Sequence, residues 1–138
     1  MQYLRMVEES EYDMAGFQLG PFLREHKFAG QRVLNAFNIS LDANSDITYS
    51  AQYEGGILLI RKGPHYRKWM KMCLGVLDRD PWLITDKYDE ESKRLNTGFQ
   101  VSRHDQTISS ISRKLLGCVQ INGMETKNAQ PDKPFHAM

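Results

Sequence analysis

Arg61, Lys62, Arg67, Lys68 and Lys71 fall within eleven residues, interleaved with His65, Tyr66 and Trp69. Cations alternating with aromatic rings suit phosphates and bases, the charge meeting the backbone and the rings offering stacking surface. The segment opens with Lys62-Gly63-Pro64-His65 and has no acid near its start, although a helix start is the positive end of the helix dipole. An anion would relieve that repulsion, so the spacing predicts an anion-binding helix start in which N–H groups stand beside side-chain cations. Arg103, Arg113 and Lys114 are expected to second it. An anionic membrane surface fits the same face, each Lys or Arg contributing about 1 kcal/mol there. Trp69 flanks the apolar side of the helical wheel, and its expected role is core packing.

Other candidate chemistry lacks the partners it needs. His26, His65, His104 and His136 stand in separate segments without metal-ligand spacing. Cys73 and Cys118 each sit in an apolar context, which predicts buried thiols from a reducing compartment and no disulfide. Asp78, Asp80, Asp86, Asp89, Glu90 and Glu91 form the one acidic cluster that could hold Mg²⁺ for a phosphate-processing enzyme. The stronger reading is structural: Asp-x-Asp before Pro81 is a common turn composition, followed by the exposed face of a short helix. Nucleophile-elbow, phosphate-loop and dinucleotide glycine patterns are all missing. The expectation is a non-enzymatic protein with no catalytic residue, metal or cofactor.

Composition sets the frame for these residues. The chain has 138 residues, is 41% hydrophobic and 25% charged, and carries a net charge of +1, so it should fold but has no overall basicity to argue from. Charge is instead blocked along the chain. Residues 1–54 hold four basic and eight acidic groups, 55–77 five basic and none acidic, 78–91 two and six, and 92–114 five and one. Blocks of this kind neutralise one another within a fold, or complement one another between copies.

The elements that must position the basic segment follow from periodicity. A helix is predicted over 64–77, with Pro64 in its first turn and Asp80-Pro81 stopping it. Before it, Val33, Phe37, Ile39 and Leu41, then Ile47, Tyr49, Ala51 and Tyr53, then Ile57–Ile60 read as three strands of an antiparallel meander near 32–61. The unbroken apolar run of the third suggests a central strand. Residues 10–27 read as two short helical pieces broken by Gly20-Pro21, and 82–85 as extended. Asp89 to Leu95 reads as a short charged helix, and 105–117 as a helix with a strand reading alive in Thr107-Ile108-Ser109-Ser110-Ile111. Further strands are expected near 98–103 and 118–122. The expected fold class is α+β, a small antiparallel sheet packed with two to four helices.

Residues 1–123 read as one globular domain and 124–138 as a polar tail whose large apolar groups, Phe135 and Met138, are the expected anchors for self-association. No apolar leader stands in Met1 to Glu9, and no uncharged apolar run approaches the ~18 residues of a membrane span, so a soluble or peripheral protein of the cytoplasm is expected. These readings converge on a binding or assembly protein that contacts nucleic acid or an anionic membrane surface through the basic helix at 61–77. The alternative is a protein–protein module or structural subunit of viral or phage type, built on complementary charge blocks.

Overall fold

Met14, Ala15 and Phe17 are wholly buried because they lie on the central strand of a sheet covered on both faces. The structure is a computed structural model describing residues 2–123. Its fold is α+β, with six α-helices and a three-stranded sheet among the described residues. After α1 (Gln2–Glu8) comes β1 (Met14–Gln18), which pairs antiparallel with β2 (Leu59–Ile60) and parallel with β3 (Val119–Asn122). The sheet is therefore mixed, not purely antiparallel. A parallel neighbour needs a long crossover, and here the whole chain between β1 and β3 supplies it.

The meander expected over 32–61 does not form. Val33, Leu34 and Phe37 are buried while Arg32 and Asn35 are exposed, which is helical spacing, and the segment is α2 (Gln31–Ala36). Asn35, a polar residue in phase with Val33 and Phe37 had the segment been a strand, points outward from the helix. A single helical turn, α3 (Ser45–Thr48), occupies the second expected strand, and only isolated bridges, Arg24 with Ala51 and Gln18 with Tyr53, survive beyond it. β2 keeps two residues at the sheet edge, with Leu58 and Ile60 exposed, so it is not central. Residues 10–27 hold β1 and one 3-10 turn (Glu25–Lys27) in place of two helical pieces, a short apolar run being readable either way. No strand forms at 98–103. There the backbone nitrogens of Gln100 and Val101 both donate to the Lys27 carbonyl. Pro81–Ile84 is a 3-10 turn that buries Leu83, not an extended segment.

The later helices fall close to where periodicity puts them: α4 (Pro64–Arg79), α5 (Asp89–Leu95) and α6 (Asp105–Leu116). Two apolar clusters hold the molecule together. One gathers Val33, Leu34, Phe37, Ile47, Val76, Ile108 and Ile111 between the helices, and the other packs Tyr3 and Val7 of α1 on Ala15, Phe17 and Ile121 of the sheet.

Between the clusters α6 buries a polar seam. The Glu25 carboxylate, fully buried, accepts from Ser110 Oγ, from Lys114 Nζ at 3.0 Å and from Gln52 Nε2 at 3.1 Å. Thr107 joins through Gln52 at 3.0 Å. Thr107 and Ser110, in the part of α6 that looked β-like, thus face inward, where their hydroxyls are satisfied, whereas the Ser109 hydroxyl has no hydrogen-bond partner. Residues 124–138, with Phe135 and Met138, lie outside the described residues.

Candidate functional site

The start of α4 is built as an anion site, and the chain supplies its own anion. Gly63 is extended and Pro64 takes the first helical position, leaving backbone N–H groups of the first turn without helical partners. Asp13, immediately before β1, reaches them: its Oδ2 accepts the Tyr66 N–H at 3.0 Å and its Oδ1 accepts from Arg61 Nε at 3.1 Å. A side chain at Gly63 would run into that carboxylate. The Tyr66 N–H, and then the Arg61 guanidinium, hold the Asp13 carboxyl below its ordinary range against the opposing effect of burial.

His65 is equally committed. Its Nδ1 accepts the Asp13 backbone N–H at 3.1 Å, so the ring proton sits on Nε2, which faces the Leu116 carbonyl at 3.2 Å. The ring therefore ties β1, α4 and the end of α6 together.

The other eight predicted cationic positions separate into four groups. Arg61 pairs with Asp13 and also donates to the Tyr12 carbonyl at 3.3 Å. Arg113 and Lys114 face the interior: Arg113 is fully buried and donates to the carbonyls of Ala15, Glu54 and Ser109, while Lys114 donates to Glu25, Ser50 Oγ and the Ala51 carbonyl. Burial pulls the pKa of both downward, the nearby Glu25 carboxylate opposing it. Arg103 lies over the Phe28 ring, 3.9 Å from its centroid. What remains together on the surface is Lys62, Arg67, Lys68 and Lys71, all exposed and with no ion-pair partner among the described residues.

A groove runs beside this face. Its volume is about 600 Å³, and it lies between α4, the end of α2 and the end of α6. Phe37, Met72, Val76, Leu115 and Leu116 supply an apolar floor and walls, while Lys68, Lys71 and Arg79 supply charge, with no carboxylate lining it. Arg79 donates to the Ala36 carbonyl at 3.2 Å, which fixes the guanidinium across one end. Neither Arg79 nor the groove walls were singled out from sequence. The signal was present for α4, since residues 68, 71, 75 and 79 fall on one face at helical spacing, but Phe37 and Leu116 reach the groove only through tertiary packing.

No family model, curated protein or solved structure matches the chain.

The remaining candidate chemistry is dispersed by the fold. Asp80 accepts from Trp82 N and Tyr88 Oη, Asp86 pairs with His104 at 2.7 Å, Asp89 accepts from Ser102 N, Glu90 pairs with Lys93, and Glu91 with Arg32 at 2.7 Å. These five acids thus have different partners, Asp78 is exposed on α4, and no group of three ligating side chains comes together among the described residues. Burial pushes the Cys73 and Cys118 thiols up, away from the reactive thiolate. Trp69 is buried and donates from Nε1 to Ser112 Oγ at 2.8 Å. No helix among the described residues is long and apolar enough to cross a membrane.

Proposed function

We propose that this chain is a non-enzymatic binding protein that holds an anionic partner against the outer face of α4. The observation that carries the reading is the state of Lys62, Arg67, Lys68 and Lys71: exposed, on or beside one helix, and without a carboxylate partner among the described residues. Arg61, fifth in the same block, is paired with Asp13. Because Asp13 already caps the helix start, the partner's charge meets side-chain cations rather than backbone N–H groups, and the contact is a surface one, sensitive to salt.

The test is titration of the protein with single-stranded and duplex oligonucleotides and with anionic phospholipid vesicles over a range of salt concentrations. Arg67→Ala, Lys68→Ala and Lys71→Ala combined should abolish or greatly weaken binding and, for duplex, flatten the salt slope by about two to three. Binding and slope unchanged in the triple variant would overturn the reading for those probes. The groove beside Lys68 and Lys71 favours a protein partner as a second reading, because its floor is apolar.

A further inference from the structure

We propose that the groove between α2, α4 and α6 docks an acidic amphipathic segment of a partner protein, apolar in its middle and carrying Asp or Glu toward both ends. This rests on the reading of α4 as the face for an anionic partner, and names the chemical class of that partner.

The arrangement of charge along the groove argues for it. Lys68 and Lys71 stand at one end and Arg79 at the other, eight residues beyond Lys71 and therefore about 12 Å along the helix. Between them lie Met72, Gly75 and Val76 of α4, faced by Leu115 and Leu116. The cations thus bracket an apolar stretch instead of forming a continuous track. A nucleic-acid backbone carries charge at every nucleotide, and would lay its charged chain across that floor without covering it. A bilayer surface presents its phosphates as a continuous sheet and does not reproduce the order of cation, apolar floor and cation along the open groove. A peptide with leucine-like groups at its centre and carboxylates at its flanks matches both features, in the manner of a helix seated in a groove.

Room and access fit the same occupant. The volume of about 600 Å³ is within the range of roughly 300–1,000 Å³ in which ligand sites fall. Gly75 sits mid-groove, and a Cβ built there meets nothing within 4 Å, so the partner can approach the α4 backbone closely. Leu115 is 36% exposed at the wall, an apolar surface that docking would cover. Arg79 is held in place by the Ala36 carbonyl and retains further N–H donors for a carboxylate.

The experiment is selection from a displayed library of random peptides of about twelve residues against the full chain, followed by affinity measurement on the recovered sequences. The expected result is enrichment of peptides with apolar centres and acidic flanks. Gly75→Leu should weaken them about tenfold or more by filling the groove without changing charge, and should not lower the thermal transition because leucine is the better helix former. Arg79→Ala and the pair Lys68→Ala, Lys71→Ala should each weaken them several-fold. Recovery of no such peptide, or of peptides that bind Gly75→Leu as well as wild type, overturns the proposal. If oligonucleotides or vesicles bind through Lys68 and Lys71 and ignore Gly75→Leu, the groove assignment falls while the anionic-partner reading stands; if no anionic probe of any kind binds, both fall. A solution dimer that Gly75→Leu dissociates would seat a second copy in the groove and overturn the peptide assignment.

Discussion

The Asp13 carboxylate accepts the Tyr66 N–H at 3.0 Å across 53 residues of sequence, and so caps α4 from outside the helix. The local sequence at 61–66 has no acid, and its apparent need for an external anion is met by a residue at the mouth of β1. This joins the sheet to the basic helix, and aligns Arg61 over the same carboxylate.

Removing that charge should therefore loosen the joint between sheet and helix. Asp13→Asn keeps an oxygen that can accept from Tyr66 but loses the pairing with Arg61, and is expected to lower the thermal midpoint by several degrees at neutral pH. The folded-state pKa of Asp13 is depressed, so its contribution is present above the unfolded carboxylate pKa near ~3.9 and is lost as pH falls through the lower folded value. Melting curves taken from pH 7 down to below the folded pKa of Asp13 should converge for wild type and Asp13→Asn at the acid end. A gap that persists at the lowest pH would show that the charge is not what matters.

The Glu25 and Lys114 pair makes a second prediction. Both side chains are buried, and Lys114→Met leaves the carboxylate with hydroxyl and amide partners but no directly bonded cation, Arg113 acting on it only from further off, which should cost about 3–5 kcal/mol in denaturant unfolding. Adding Glu25→Gln should recover much of that loss, because a neutral amide at position 25 no longer requires a counter-charge. Strictly additive losses in the double variant would mean that the two groups are not coupled.

These two joints also mark where sequence reading stops. Helices α4 and α6 were legible because their apolar stripes repeat every three to four residues and caps or prolines bound them. The sheet was not: β1 is five residues, β2 is two, and what makes Met14–Gln18 a central strand is burial by α1 and pairing with β3 about a hundred residues on. Val33, Leu34 and Phe37 carried a helical signal that the alternation of Phe37, Ile39 and Leu41 obscured, since Asn38 at φ 57° reverses the chain between them. For the site, exposure of Arg67, Lys68 and Lys71 followed from the wheel, whereas burial of Arg113 and Lys114 depended on Glu25 and on carbonyls from β1 and the 50–54 segment. Local charge count carries no information on which partners lie inside.

Cysteine chemistry supplies a third prediction. Cys73 donates to Ser112 Oγ at 3.3 Å, Cys118 is hydrogen-bonded to Tyr53, and burial raises both thiols. Both should react with an aromatic disulfide reagent at pH 8 at least about tenfold more slowly in the native protein than in denaturant. Rapid native labelling of either one would show that its environment opens on the timescale of the reaction.

Two glycines, one at the end of a helix and one inside another, should respond in opposite ways to alanine. Gly117 ends α6 at φ 87° and ψ 149°, a backbone region nearly closed to residues with a Cβ, and a Cβ there would stand 2.5 Å from the Tyr12 ring. Gly117→Ala has to strain the link into β3 and displace Tyr12, whose carbonyl accepts from Arg61, so a loss of about 1–3 kcal/mol or more is expected. Gly75 lies within α4 in helical conformation with open space beside it, and Gly75→Ala removes only glycine's poor helix propensity, a gain of about 0.5–1 kcal/mol. Urea denaturation of the two variants beside wild type measures both. Equal losses would mean that the Gly75 face is covered, and the groove along α4 would then not be open; a neutral Gly117→Ala would mean that the chain can leave α6 by another path than the one that brings β3 alongside β1.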